Sequence, residues 1–268
     1  MGNRQNLVCY FCGSATKQYL SFNTIDIISC VKCKIAFTFP VPTLPEYEEL
    51  DFHNCTKSLD TPSLTKLNEL PYNWKKLINI QTELLRRNLA ESSKILEIGC
   101  GEGILLEALQ AVGFKTFGIE PSKTAASRAK TRGLDVINGY FPDNNVNEKV
   151  DAVIMSHVLE HIQDPAQIIN AIKLIAPGGY LVLTQTNYRG LIPRSQKGDW
   201  YAWVPEQHFW HFSLEGLTMW LNEFGFEQVE FKYSSLVHPE NILYKASLLR
   251  NSWIDQYTVI YKLLHDHN

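Results

Sequence analysis

The sequence predicts an α/β fold in which a parallel sheet is covered by helices on both faces and is preceded by a small metal-binding ribbon. From residue 94 onward, short apolar runs rich in branched residues alternate with segments of helical periodicity. This alternation is typical of a parallel sheet covered on both sides. A glycine-rich turn joins the first strand to the first helix, and two cysteine pairs near the N-terminus have metal-ligand spacing.

The composition is that of a globular protein with enough apolar side chains for a sizeable core. The 268 residues are 45% hydrophobic and 20% charged, a length that fits one large domain or a medium domain with a small module. A net charge of −3 and an isoelectric point of about 6.2 disfavour a surface that coats nucleic acid. No apolar run approaches the ~18 residues of a membrane span, and the first residues lack the apolar core of a secretory signal. We therefore expect a cytoplasmic protein without a membrane partner.

Two C-x-x-C pairs predict a zinc ribbon. The pairs are Cys9 with Cys12 and Cys30 with Cys33, separated by 17 residues. Each pair places two thiolates on one turn, and four thiolates complete a tetrahedral zinc site. Residues 19–22 and 25–28 resemble short strands, and a unit as small as residues 1–40 needs the free energy of metal binding to fold. Redox cysteines or two unrelated pairs are the alternative, and whether the ribbon contacts substrate stays open.

Residues 41–90 are predicted to link the ribbon to the α/β domain of residues 91–268. Prolines at positions 40, 42 and 45 indicate a linker. The sequence from Asp51 to Cys55 contains three residues of types that bind metals, but three such mixed residues usually belong to an ordinary loop without a metal. Apolar residues at helical spacing predict a helix over 74–89 that leads into the first strand and forms part of a lid over the ligand site.

The elements of the α/β domain follow from apolar runs, helical periodicity and glycine stops. Apolar runs predict strands at 94–98, 115–120, 135–137, 150–155, 180–186 and 226–233. Helical spacing predicts helices at 104–112, 122–133, 165–175 and 214–224, three of them stopped by Gly113, Gly133 and Gly225. The tail, residues 242–265, is expected to be helical or mixed, and its last strand is not placed.

The glycine turn after the first strand predicts a nucleoside site. Glycines at positions 99, 101 and 103 let the backbone approach a ligand at the N-terminus of the next helix. Twenty-one residues beyond Gly99, the second strand ends in Glu120. Its carboxylate can accept hydrogen bonds from two ribose hydroxyls.

The position of the third glycine distinguishes a dinucleotide-binding turn from a turn that binds another nucleoside. A dinucleotide turn, G-x-G-x-x-G, needs glycine at position 104, which is Ile104 here. The form E-x-G-x-G-x-G instead resembles motif I of the class I S-adenosylmethionine (SAM) methyltransferases, which have a Rossmann-like sheet. The resemblance implies SAM as cofactor, with its amino-acid end on the turn and its ribose on the later acid. The implied contacts are Glu97, Gly99, Cys100, Gly101, Gly103, Glu120 and Pro121. A chance glycine turn in another α/β protein is the alternative.

Further candidates follow the third and fourth strands, because ligands of open α/β sheets bind beyond the carboxyl ends of the strands. Tyr140 and Phe141 are expected to flank adenine, with core packing as the alternative. Residues 156–165 resemble the H-x-L-E-H-x-x-D-P signature of many small-molecule SAM methyltransferases, which implies that His157 lies near the methionine end of the cofactor. Glu160 and His161 are interpreted as residues that cap and brace the following helix.

The segment from Asp199 to Ser213 is the predicted acceptor site. It carries six aromatic residues and two histidines in 15 residues, and aromatic walls with few polar groups suit a small organic acceptor. His208 is the predicted general base, because an ordinary histidine titrates near neutral pH. His211 is the second candidate. The alternative is that both are packed histidines that organise the loop.

Together, the cysteine pairs and motifs over residues 9–233 resemble the zinc-containing methyltransferases of natural-product pathways, including sugar C-methyltransferases. In that family a histidine and a glutamate occupy the positions of Glu206 and Gln207, and a large C-terminal domain follows, whereas this chain ends at Asn268. We therefore expect O-methylation, then N-methylation, of a small-molecule acceptor. A sugar C-methyltransferase, or a peptide or macromolecule methyltransferase that docks through the ribbon, is the alternative. The acidic balance disfavours nucleic acid, and the oligomeric state is not predicted.

Overall fold

The computed structural model describes residues 7–42, 70–142, 146–235, 241–247, 250 and 254–264. Most of the predicted linker, including the sequence from Asp51 to Cys55, lies outside these residues. The strands are β1 (Thr16–Phe22), β2 (Ile25–Cys30), β3 (Ala36–Phe39), β4 (Lys94–Ile98), β5 (Lys115–Glu120), β6 (Val136–Asn138), β7 (Val150–Ser156), β8 (Ile175–Thr186), β9 (Trp210–His211), β10 (Phe226–Ser234) and β11 (Gln256–Leu263). The α-helices are α1 (Tyr72–Asn88), α2 (Ile104–Ala111), α3 (Lys123–Thr131), α4 (Ile168–Ile172), α5 (Leu191–Gln196), α6 (Leu214–Asn222) and α7 (Ile242–Ser247).

The large sheet has seven strands in the order β10-β11-β8-β7-β4-β5-β6. Strands β4 to β8 run parallel, whereas β11 is antiparallel to both β8 and β10. The α/β prediction is confirmed, and the strands predicted at 94–98 and 115–120 coincide with β4 and β5. The parallel strands bring their carboxyl ends to one edge of the sheet, where the glycine turn and Glu120 lie.

Helices cover both faces of this sheet. Successive strand residues point to opposite faces, so Ile95 of β4 packs in the cluster that includes α1 and α2. Its neighbour Leu96 packs in the cluster that includes α4 and α6. Among the described helices, none has the length and apolar content required to cross a bilayer.

Two parts of the chain differ from the predicted elements. Strand β8 begins at Ile175 rather than at residue 180, so the helix predicted over 165–175 is reduced to a 3-10 turn at Pro165–Gln167 and the short α4. The tail is mixed, as expected, and contains the unplaced strand β11. Every side chain of β11 except Lys262 is buried. A strand buried on both faces lacks the alternation that identifies a half-exposed strand.

The N-terminal ribbon shares its sheet with the aromatic segment of the α/β domain. Strands β1, β2 and β3 form antiparallel pairs, and β9 adds to the edge of β3, with Ala36 opposite His211. Beside this pair, the Thr38 amide donates to the Phe209 carbonyl at 2.9 Å, and the Thr38 hydroxyl donates to the His208 carbonyl at 2.6 Å. The ribbon therefore holds the backbone of the segment that carries the predicted base.

Aromatic packing reinforces this junction. Phe11, between the first two cysteines, packs edge-on against Trp210 and Trp220, with ring centroids 5.1 and 4.8 Å apart. Phe11 is 6% exposed, and buried aromatic pairs of this geometry contribute beyond their apolar area. The division of the chain at residues 40 and 90 stays a prediction, but the two parts share one apolar core.

Candidate functional site

The glycine turn between β4 and α2 has the backbone shape that its glycines require. Gly99, Gly101 and Gly103 have φ angles of 71°, 55° and 78°, in the left-handed region that favours glycine. A Cβ on Gly103 would lie 2.4 Å from Leu134, so this glycine is needed for packing. A Cβ on Gly101 would meet no atom within 4 Å. Gly101 therefore faces open space in which a ligand can lie against the backbone.

Glu120 at the end of β5 fastens this turn to the next loop. Its carboxylate is 5% exposed; one oxygen accepts from the amide of Gly101 and the other from the amide of Ser122, both at 2.8 Å. These bonds orient the carboxylate, and an ionised carboxylate has further lone pairs for ribose hydroxyls. Asn138, which sequence reasoning missed, donates to the carbonyls of Glu120 and Pro121 at 2.9 and 3.0 Å. A polar residue directly after the strand predicted at 135–137 is the signal that could have identified it.

The burial and missing hydrogen-bond partner of Glu97 indicate whether SAM fits this site. The side chain is 4% exposed, and within the described part of the chain its Oε2 atom has no hydrogen-bond partner. Burial, followed by the charge of Glu120, raises the pKa of Glu97 well above its usual value. A buried carboxyl group without a partner is costly, and a cationic ammonium group would satisfy it. SAM carries such a group at its amino-acid end, so the carboxyl group of Glu97 fits this end of the cofactor.

The side chains of the other predicted cofactor contacts differ in their exposure to solvent. The Cys100 thiol packs in an apolar cluster with Leu106 and Leu134, and burial raises its pKa, so its side chain serves packing. Tyr140 is 58% exposed, whereas Phe141 packs against the main core. Of the two aromatic residues, Tyr140 is therefore the better placed to cover a bound base.

His157 lies at the carboxyl end of β7 in a strained conformation. Its φ of 56° is uncommon for a residue other than glycine. The ring lies between two oxygen acceptors, with Nδ1 3.2 Å from Glu160 and Nε2 3.0 Å from Gln256. The next residue, Val158, packs against the turn: a Cβ on Gly99 would lie 2.5 Å from its Cγ2. The histidine block and the glycine turn therefore form one continuous wall.

Glu160 is the charged centre of a histidine cluster. It does not cap the following helix, as the sequence suggested; Asp164 does, by accepting from the Ala166 amide at 3.0 Å. Burial on its own would raise the pKa of Glu160, but the hydrogen bond from His157 and the nearby histidine charges lower it below its usual value. Gln185 donates to the second oxygen at 2.9 Å. The carboxylate is therefore ionised and buried.

The two predicted catalytic histidines occupy different surroundings. His208 lines a cavity of about 210 Å³ together with His157 and Glu160, whose other walls are Trp74, Thr186, Tyr201, Ala202 and Val204. His208 Nδ1 lies 2.9 Å from the Ala202 carbonyl, so the Nδ1–H tautomer donates there and Nε2 carries the lone pair. Burial, followed by the charge of His161, lowers the pKa of His208 to about 4.

His211 lies outside this cavity. It is 1% exposed in β9, and its ring contacts the Trp203 ring at 4.7 Å between centroids. Among the described residues neither ring nitrogen has a hydrogen-bond partner. Burial, followed by the charge of His208, lowers the pKa of His211 to about 3. This position fits a packed core histidine.

Among the described residues, two groups of side chains can hold a metal ion. The sulfur atoms of the four ribbon cysteines lie within 4.8 Å of one another, with Cys9 and Cys33 at 3.5 Å and Cys12 and Cys30 at 3.5 Å. Four thiolates about 2.3 Å from one ion would produce this spacing. In the second group, one ligand atom from each of Glu160, His161 and His208 also lies within 4.8 Å of the others.

Comparisons with known proteins agree with the fold. Residues 70–230 match the family model described as "Methyltransferase domain". A ubiquinone biosynthesis O-methyltransferase of Hydrogenovibrio crunogenus is 29% identical over 154 residues, which is 50% of this chain and 64% of that protein. The chain spans less than two thirds of the length of the curated relatives it matches.

Solved structures show the fold alone. The N-methyltransferase NodS from Bradyrhizobium japonicum, solved with S-adenosyl-L-homocysteine, has a TM-score of 0.55 at 19% identity and covers 80% of this chain and 98% of its own. A SAM-dependent methyltransferase from Thermotoga maritima has a TM-score of 0.53 at 22% identity, covering 71% of this chain and 90% of its own. The Rossmann-like methyltransferase fold predicted from the sequence is confirmed.

Replacement of Glu120 tests the ribose contact. Glu120→Ala should weaken binding of SAM and S-adenosylhomocysteine by about 1.5–3 kcal/mol, because it removes hydrogen bonds to a charged acceptor. Isothermal titration calorimetry measures this. Glu102→Ala, in the same turn but paired with Arg128, is the control and should retain affinity. Unchanged affinity in Glu120→Ala would refute the ribose assignment.

The buried His211 predicts acid sensitivity. An unfolded histidine takes up a proton with the ordinary pKa of 6.5, whereas folded His211 does so only near pH 3. The unfolded state therefore binds more protons between these values, and the free energy of unfolding falls as the pH falls from about 6.5 toward about 3. His211→Phe, which keeps an aromatic ring in the core, should reduce this slope in urea titrations at several pH values. An identical slope in both proteins would contradict the burial of a neutral ring.

Proposed function

Because the chain belongs to the methyltransferase domain family, we propose that it transfers the methyl group of SAM to an oxygen atom of a small organic acceptor. The observation that carries this proposal is the cavity lined by His208 and His157, because Val158, the residue after His157, packs against the glycine turn. The named relatives, ubiquinone biosynthesis O-methyltransferases, support a hydroxyl acceptor and a biosynthetic role. Transfer to nitrogen is the second choice.

Groups of three residues form the proposed cofactor site. The amide backbone at Gly101 provides open space, Glu120 provides an oriented carboxylate for the ribose, and Glu97 provides a carboxyl group for the ammonium end. His157, next to Val158 in this wall, is the residue that would face the methionine end of the cofactor. When bound, SAM supplies a methyl group on a sulfonium, which is already activated for in-line displacement.

The residues of the cavity position the acceptor and take up its proton. Trp74 and Tyr201 supply aromatic walls, and a cavity of about 210 Å³ fits a single small ring. His208 is unprotonated at neutral pH, so Nε2 can accept the hydroxyl proton as the new carbon–oxygen bond forms. The carboxylate of Glu160, in the same cluster, stabilises the positive charge that then develops on His208.

We also propose that the four ribbon cysteines hold one zinc ion. The support is the mutual spacing of their sulfur atoms and the small size of the ribbon. Zinc would fix β1 to β3 and, through Thr38, the backbone that carries His208. Thiolates that persist as ligands also favour a cytoplasmic location.

Replacement of His208 is the most informative test of the mechanism. His208→Ala should lower kcat by about 10²–10⁴-fold, the usual contribution of a general base. SAM affinity should change little, because the residue faces the acceptor cavity. The assay is methyl transfer, followed by mass spectrometry, to hydroxylated aromatic acceptors of one ring. Glu206→Gln, an exposed charge two residues away, is the matched control. Near-normal turnover in His208→Ala would show that the reaction needs no base from this loop.

Elemental analysis tests the zinc proposal. The purified chain should contain one zinc per molecule, and Cys30→Ser should lose most of it because one of four thiolates is removed. Cys100→Ser, which changes a buried thiol outside the ribbon, should keep the full amount. A zinc-free wild-type protein, or full retention in Cys30→Ser, would refute the site.

A further inference from the structure

A second cavity, of about 530 Å³, lies between the ribbon and the segment that follows β8. The ribbon contributes residues of β1 and β2, and the α/β domain contributes the loop after Thr186 and helix α5. It is separate from the His208 cavity, because the two cavities have no described lining residue in common. The proposed methyl transfer makes no use of it.

The charge of this cavity is opposite to that of the chain. Five cationic side chains line it: Lys17, Lys34, Arg189, Arg194 and Arg250. Within the described part of the chain, its one lining carboxylate is Glu215, which pairs with Arg189 at 2.7 Å. The whole protein has a net charge of −3. Like charges repel one another, so a cavity of this kind is stabilised by a bound anion, and its walls focus the field on that anion.

The walls of the cavity also indicate that the anion is a phosphate attached to a larger organic group. Arg194 donates through Nε to the Gly190 carbonyl at 3.1 Å, which orients its guanidinium group, and guanidinium groups bind phosphate in a bidentate manner. Tyr19, which is half-buried, offers aromatic surface beside the cations, and the buried Tyr188 ring packs against it at 5.3 Å between centroids. The volume exceeds that of a lone phosphate and accommodates a nucleoside-sized group.

We propose that this cavity binds a small organic molecule that carries a phosphate or diphosphate group. The cations bind the phosphate oxygens, and the ring of Tyr19 covers the organic part. This inference does not depend on the proposed methyl transfer, because its test measures binding alone.

The test is calorimetric binding of three probes: orthophosphate, pyrophosphate and uridine diphosphate. We expect pyrophosphate and uridine diphosphate to bind, uridine diphosphate at least about tenfold more tightly than orthophosphate, and both more weakly as salt rises. The double variant Lys17→Gln/Arg194→Gln, at exposed positions, should lose about tenfold or more of this affinity. The control is Lys115→Gln/Lys130→Gln, which makes the same charge change on β5 and α3.

The outcomes are distinct. Binding of uridine diphosphate that is lost in the first double variant and kept in the second supports the proposal. Equal affinity for orthophosphate and uridine diphosphate, an equal loss in both double variants, or no binding of either diphosphate probe would overturn it. Unchanged thermal unfolding and unchanged SAM binding of the Lys17→Gln/Arg194→Gln protein show that a loss of affinity does not reflect unfolding.

Discussion

The pairing of β3 with β9 is the constraint on which the rest of the site depends. Strand β9 has two residues, too few to hold a position without a partner. It is fixed by the ribbon strand beside it and by Phe11, which packs against Trp210. The same contact fixes the carbonyl of His208 through Thr38. The N-terminal ribbon therefore supports the backbone of His208, which lines the proposed acceptor cavity.

The carboxyl edge of the parallel sheet concentrates three buried acids with different partners. Glu120 accepts two backbone amides, Glu160 is stabilised by His157 and Gln185, and Glu97 has an oxygen without a partner among the described residues. Burying a carboxylate is costly unless hydrogen bonds or charges compensate. Glu120 and Glu160 are compensated within the protein, whereas the missing partner of Glu97 is, in the function proposed above, the ammonium group of SAM. In that proposal, the cost of burying Glu97 favours cofactor binding.

Local patterns made much of the fold predictable from the sequence. Strands β4 and β5 and the glycine turn follow from apolar runs and glycine spacing, which depend on few neighbours. Strand β11 was not placed, because burial on both faces removes the alternation of polar and apolar residues. The pairing of β3 with β9 was not predictable either, because a two-residue strand has no periodicity and its partner is remote in sequence. Gln185 and Gln256, which contact Glu160 and His157, are also remote from them in sequence. The sequence therefore does not reveal these partners and suggests a helix cap for Glu160 instead.

Hydrogen–deuterium exchange before and after chelation of the proposed zinc ion measures most directly whether the ribbon holds residues 205–213, which include the proposed base His208. If it does, peptides covering residues 205–213 lose protection together with those covering residues 16–39, because Thr38 and β3 no longer fix their amides and carbonyls. Peptides covering β4 and β7 should keep their protection, since the large sheet is hydrogen-bonded independently of the ribbon. Full protection of residues 205–213 while the ribbon exchanges freely would contradict this dependence.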